Sequence, residues 1–196
     1  FFTAARLAER FSAEARRLNF IKAVATLERS VELEMDLRLE AAAMSEMAEN
    51  TRDDPGFRVP EIFWQQTSRR ILTSEWIDGI ALTDDEALAA SGLDLPRLGD
   101  TVIQSFLRHA MRDGFFHADM HQGNLFIDAQ NNLVAVDFGI MGRLSMKDRR
   151  FLAEILWGFI KRDYKRIARV HFEAGYVPAA EEVDLFAPAL RAIGEP

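Results

Sequence analysis

Apolar residues recur at helical spacing from the first turn, where Ala4, Leu7, Ala8 and Phe11 share one face. The same period runs through "LERSVELEMDLRLEAAAMSEMAEN". There Leu27, Val31, Met35, Leu39, Ala43 and Met47 predict one apolar stripe on a single helix over residues 27–50. Asp53, Asp54, Pro55 and Gly56 end it. The pattern then changes. In "RVPEIFWQQTSRRILTSEWIDGI" two short β-branched and aromatic runs flank a polar stretch, which predicts a pair of strands. "LDLPRLGDTVIQSFLRHAMRDG" returns to helix, with Leu98, Val102, Phe106 and Met111 facing inward, Pro96 near the start and Gly114 as the cap.

Farther on, "LFID" and "LVAVDFG" flank Ala129, Gln130, Asn131 and Asn132, the pattern of a small hairpin with asparagine at its turn. Such a hairpin returns Asp137 to the neighbourhood of Asn124. Ser145 and Asp148 then predict a capping box. Behind it Phe151, Leu152, Ile155, Leu156, Phe159 and Ile160 form an apolar helix face. A further helix from about Tyr164 to Ala174 stops at Gly175 and Pro178.

Composition narrows the function classes. With 196 residues, 48% of them hydrophobic, the chain can build one globular core or one lobe of something larger. The absence of cysteine excludes disulfides and thiolate zinc sites and fits a reducing compartment. Twenty-four basic against 31 acidic side chains give a net charge of −7, without the basic footprint that nucleic acid requires. No run approaches the roughly 18 to 20 apolar residues that span a bilayer, and nothing resembles a signal peptide. A soluble, cytoplasmic chain is expected. Opening on Phe1, already at helical spacing, it is expected to be a piece of a longer protein.

The candidate chemistry lies in "FFHADMHQGNLFID" and in the "VDFG" that follows it. Asp119, Asn124 and Asp137 are the polar groups that phosphoryl transfer requires. One carboxylate orients the acceptor hydroxyl, while an amide oxygen and a second carboxylate are hard ligands for Mg²⁺. The step from Asp119 to Asn124 matches the spacing of the kinase catalytic loop, and Asp137, Phe138 and Gly139 follow after one hairpin as that template requires. His117, Asp119 and His121 alternate and could instead be ligands of a metal hydrolase, although only His109 and His171 remain to complete such a centre. His117 is expected to bond the backbone of the loop. His121, two residues past Asp119, could approach a transferred phosphate or serve the loop alone.

On the helix over residues 27–50, Glu32, Asp36 and Glu40 fall at successive i,i+4 positions. This is either a solvated acidic face or a sign that Glu40 has a cationic partner, as the αC glutamate of a kinase pairs with the lysine of its third strand. No lysine precedes it here in a strand-like context, so Glu40 is expected to lack its partner within this chain.

"VELEMDLRLEAAAMSEMAEN", "LTSEWIDGI", "FFHADMHQGNLFID" and "LVAVDFGIMGRLS" together resemble the UbiB family of atypical kinase-like proteins. The resemblance implies an α+β, protein-kinase-like fold with a mostly helical C-lobe, short hairpins, an αC-like helix and an incomplete N-lobe. It implies binding of ATP with Mg²⁺, kinase or ATPase activity, and support of ubiquinone biosynthesis. It also implies action on quinone-pathway lipids or proteins at a membrane, reached through segments outside this chain. The expected division is residues 1–72 for the N-terminal helices, the αC-like helix and part of the N-lobe sheet, 73–82 for the hinge and 83–196 for the C-lobe.

Carried over by motif, Asp119 corresponds to the catalytic aspartate, Asn124 and Asp137 to the metal ligands, and Glu40 to the glutamate that pairs with the lysine. Glu34 and Asp36 match an E-x-D motif, and Glu75 and Ile77 resemble the hinge that meets adenine through its backbone. Met120 and Gln122 replace the prolines usual in this loop, which changes loop stiffness rather than chemistry. The family's K-x-G-Q motif, alanine-rich nucleotide loop and strand lysine are absent from these residues. Two alternatives stay open: a small-molecule phosphotransferase of the choline or aminoglycoside kinase type, and a nucleotide-binding regulator or scaffold without phosphotransfer.

Overall fold

Asp36 divides what the apolar period presents as one helix. Helix α3 (Phe20–Glu34) stops short of it, and α4 (Leu37–Asn50) starts after it. Asp36 leaves the helical backbone (φ −107°, ψ 86°) and caps α4, its Oδ1 accepting the Arg38 N–H at 3.3 Å. The Arg38 guanidinium closes on the same carboxylate at 2.8 and 2.6 Å and holds its pKa down at about 2. The charged cap is therefore fully present above the ordinary aspartate range and is lost only as the pH falls through about 2. Aspartate favours a cap over a helix interior because its short side chain bonds nearby backbone N–H groups, which overrides the continuous stripe. Leu27, Val31, Met35 and Leu39 are consequently exposed, and the buried face of α4 is Ala41, Met44 and Met47. Asp36 therefore does not share one continuous helix face with Glu40, and the expectation for Glu32 lies outside the described side chains.

The computed structural model describes residues 1–178 and 183–195. The side chains of Ala13, Ser30, Glu32, Leu33 and Glu34 lie outside that description. The E-x-D expectation for Glu34 therefore lies outside it too. Two units are present, one comprising Phe1–Asp84 with His121–Gly139, the other Asp85–Met120 with Ile140–Pro196.

In the first unit, α1 (Phe2–Phe11), α2 (Ala13–Arg17) and α3 precede α4. A four-stranded sheet follows, in the order β1 (Phe57–Arg58), β5 (Leu133–Ala135), β4 (Leu125–Asp128), β2 (Gly79–Ala81). β1 lies parallel to β5, and β4 is antiparallel to both β5 and β2. The expected strand pair over residues 58–80 is thus corrected: β1 and β2 join opposite edges of the hairpin and do not pair with each other. The polar "QQTSRR" between them lacks apolar alternation and forms only a 3-10 turn and isolated bridges, Ile62 to Ser74 and Ser68 to Ile71. The β4–β5 hairpin forms as expected, with Asn131 in the left-handed region (φ 63°). Asp128 ties the turn, its Oδ1 accepting the N–H groups of Gln130 and Asn132 at 3.0 and 2.8 Å.

In the second unit, α5 (Asp85–Ala90) is followed by α6 (Leu95–Arg108), capped by Asp94 with Pro96 in its first turn. A π-turn, His109–Asp113, extends α6 and widens its last turn. Ser105, His109 and Ala110 become the buried positions and Met111 is carried outward, contrary to its expected inward face. Gly114 ends the turn at φ 65°, its N–H bonding the His109 carbonyl at 2.9 Å. Arg149 brackets this junction, donating to the carbonyls of Arg112 and Asp113 at 2.7 Å and of Leu144 at 3.1 Å. A Cβ at position 114 would overlap that guanidinium. Gly114→Ala is expected to destabilise the protein by about 1–2 kcal/mol from the left-handed backbone alone, with more from displacement of Arg149. Chemical denaturation measures this, and native stability in the variant would refute the bracketing role.

Two short strands, β3 (Phe115–His117) and β6 (Met141–Arg143), pair antiparallel. α7 (Met146–Lys161) then begins with the expected capping box of Ser145 and Asp148. It packs on α8 (Tyr164–Glu173), and α8 packs on α9 (Val183–Gly194), around Tyr164, Ile167, Ala168, Ala187 and Leu190. On α7 Phe151 is buried but Ile160 faces outward, so the expected face is narrower. No helix among the described residues is long and apolar enough to cross a membrane.

Candidate active site

Helix α4 places Glu40 and Met44 one turn apart on the same face. They form one wall of a pocket of about 270 Å³ in the first unit, together with Pro60, Leu72, Ser74, Glu75, Trp76, Ile77, Phe126, Val136 and Asp137. Four residues singled out in the sequence for three different roles, Glu40, Glu75, Ile77 and Asp137, thus line one cavity. Apart from Ser74 and the three carboxylates its lining is apolar, the usual makeup of a small-molecule site.

Glu40 is not without a local partner, contrary to the expectation from the absent lysine. Its Oε1 accepts the backbone N–H of Phe138 at 3.1 Å, across 98 residues of sequence. Phe138 itself is buried. Glu40→Ala should therefore destabilise the chain by about 1.5–3 kcal/mol, in the range of hydrogen bonds to a charged acceptor, whereas Glu40→Gln, which keeps an acceptor oxygen, should cost less. Denaturant titration of both variants checks this ordering.

The β4–β5 ladder sets Asn124 and Asp137 at the same end of the hairpin. Leu125 pairs with Ala135, and the Val136 N–H extends the register by donating to the Asn124 carbonyl at 2.8 Å. Asn124 is buried. It ends a 3-10 turn, Gln122–Asn124, capped by His121, whose Nδ1 accepts the Gly123 N–H at 3.0 Å. In a neutral ring so engaged, the proton resides on Nε2. Asp137 adopts φ 59°, a left-handed backbone uncommon outside glycine, with Oδ1 accepting the Gly139 N–H at 3.3 Å. Such conformations concentrate at functional positions, and aspartate tolerates them better than most residues.

Asp119 belongs to the second unit. Buried His117 on β3 accepts the Asp119 N–H through Nδ1 at 3.1 Å, the backbone-bonding role expected of it. The Ala118 N–H donates to the Ile140 carbonyl at 3.0 Å. The loop bearing Asp119 is thereby fixed at its root by a histidine and by the β3–β6 pair.

Sequence reading missed the ion cluster around Arg58. Arg58 donates through Nη1 and Nη2 to the two oxygens of Glu75 at 2.8 and 3.0 Å, and through Nε to Asp128 at 2.8 Å. Bonding to Arg58 holds the Glu75 carboxyl below its usual range. Burial pushes Asp128 upward, but its bonds to Arg58 and Asn132 outweigh this and hold it low. The guanidinium is correspondingly harder to deprotonate, chiefly through Glu75. Only the turn role of Asp128 had a local signal, an aspartate opening "DAQNN"; Arg58 lies 70 residues from it. Glu75 also commits its backbone N–H, to the Glu61 carbonyl at 2.8 Å, which narrows its expected backbone role to its carbonyl.

Residues 1–171 match the ABC1 atypical kinase-like domain. The chain belongs to the ABC1 atypical kinase-like family. "Probable protein kinase UbiB" of Azotobacter vinelandii is 40% identical over 98% of the chain, and its namesake in Pseudomonas fluorescens 39% identical over all of it. The chain spans only 36% and 37% of those relatives' lengths. The Rv3197–erythromycin complex of Mycobacterium tuberculosis matches with a TM-score of 0.60 at 21% identity, over 92% of this chain and 48% of that one, a likeness of fold. The resemblance to UbiB and the kinase-like α+β class both hold. This ABC1-family chain has only five residues between Gly139 and Ser145, and three of them form β6. An ordinary protein kinase carries its activation segment there.

Proposed function

We propose that this ABC1-family chain is the nucleotide-handling part of an atypical kinase or ATPase that uses Mg²⁺–ATP and supports ubiquinone biosynthesis. The observation that carries the nucleotide reading is the pocket lined jointly by Glu40, Glu75, Ile77 and Asp137. Its apolar walls suit a purine, and the Ile77 backbone, which makes no hydrogen bond among the described residues, is available to a base edge.

The donor set fits Mg²⁺. Asn124 and Asp137 offer an amide and a carboxylate oxygen, and no three acidic or imidazole side chains gather as a metal cluster among the described residues. Mg²⁺ commonly takes one or two protein oxygens and completes its octahedron with phosphate and water. When bound it would neutralise charge on the transferring phosphoryl group. Asp119, on the catalytic-loop motif, accepts or orients the proton of the attacking hydroxyl, and the His121 Nε2–H donates toward phosphate oxygen. Glu40 holds the backbone N–H of Phe138, next to the metal-ligand position.

The quinone role rests on the UbiB relatives, and the membrane role on the same resemblance. The short segment after Gly139 supports a small or lipid-linked acceptor, or water, over an extended peptide. Trp76 tests the location of binding, because it lines the pocket while Trp64 and Trp157 do not. In the whole protein with every tryptophan except Trp76 replaced by phenylalanine, Mg²⁺–ATP should change Trp76 emission saturably. Binding without any such change would place the nucleotide elsewhere.

A further inference from the structure

Glu75 lines the pocket, yet its carboxylate is engaged by protein. Both oxygens accept from Arg58, and Oε2 also accepts the Glu61 N–H at 3.2 Å. Among the described residues, the bond from the Glu75 N–H to the Glu61 carbonyl is the last backbone bond before β2 begins at Gly79. Residues 76–78 therefore cross the pocket without a sheet ladder to fix them. Besides the two bonds of Glu75 to the Glu61 backbone, what ties their leading end to the rest of the unit is the Arg58 guanidinium, which also grips Asp128, the residue that closes the β4–β5 turn.

We infer that Arg58 is the positioning residue of the base-contact segment: by clamping Glu75 to the Asp128 turn it holds Trp76 and Ile77 in place to recognise a purine edge. This rests on the nucleotide reading of the pocket. The clamp needs an arginine, because three acceptor oxygens on two carboxylates match a planar fork and not a compact ammonium. Without Arg58, Glu75 and the nearly fully buried carboxylate of Asp128 would face each other uncompensated, and their repulsion would push the segment away from the turn.

The test compares Arg58→Met, Arg58→Lys and the milder Glu75→Gln with the native whole protein. Kd is measured for ATP and GTP, and hydrogen exchange is followed by mass spectrometry. Arg58→Met should raise the ATP Kd about tenfold, the equivalent of one charged hydrogen bond, and raise the GTP Kd less, so that base preference shrinks. Exchange of the Glu75 amide, which is bonded to the Glu61 carbonyl, should quicken while that of α4 and β5 stays native. Arg58→Lys should recover little, and Glu75→Gln should move the same way by a smaller amount. Equal losses for ATP and GTP, or native affinity with lysine at position 58, would overturn the inference. If the native protein binds no nucleotide, the nucleotide reading fails. The exchange pattern then decides the clamp alone: quickening at the Glu75 amide with α4 and β5 native supports it, and unchanged exchange refutes it.

Discussion

Asp119→Asn is expected to lower turnover on the order of 10²- to 10⁴-fold, the usual contribution of a positioned proton acceptor, while leaving Mg²⁺–ATP affinity close to native. The substitution keeps size and shape and removes only the charge and the proton-accepting oxygen. The contact that roots the loop is made by the backbone N–H of residue 119 to His117, so it survives the change. Single-turnover ATP hydrolysis or transfer by the whole protein separates this loss from binding. Native turnover in the variant would remove Asp119 from the chemistry. A parallel loss of affinity would make it a binding residue instead.

Signals that were local in sequence were legible. The hairpin turn at Asn131, the Ser145–Asp148 capping box and the Gly114 stop each depend on a few adjacent residues whose backbone preferences agree with the fold. The kinase-like order of catalytic loop, hairpin and Asp137 was legible for the same reason. Two kinds of feature were not. Where local choices compete, periodicity alone picked wrongly: the apolar stripe from Leu27 to Met47 carries no sign that Asp36 would cap rather than continue, because capping depends on Arg38 and on the chain being held at Leu37 by the Arg69 carbonyl. Contacts between distant segments left no pattern at all. Arg58 with Glu75 and Asp128, Glu40 with Phe138, and Arg149 with the carbonyls of Arg112 and Asp113 each join positions at least 17 residues apart.

Asp137→Asn is expected to raise the ATP Kd measured in Mg²⁺ by about 100-fold. Changes to groups that merely support a ligand already cost about 10- to 100-fold in metal affinity, and Asp137 is proposed as a ligand itself. Asparagine is the appropriate replacement because it tolerates the left-handed backbone at φ 59° about as well as aspartate and keeps an Oδ1 for the Gly139 N–H. The folded state should therefore persist, and a melting curve close to native is part of the expected result. Asn124→Ala should act in the same direction. It removes a buried side chain as well, so its effect mixes stability with binding.

Calorimetric titration of the whole protein with ATP, in saturating Mg²⁺ and again in chelator, tests most directly whether the pocket lined by Glu40, Glu75, Ile77 and Asp137 takes Mg²⁺–ATP. The expected result is one site whose affinity depends strongly on Mg²⁺ in the native protein and loses that dependence in Asp137→Asn. Equal affinity with and without Mg²⁺ in the native protein, or an undiminished response to Mg²⁺ in the variant, would contradict the account.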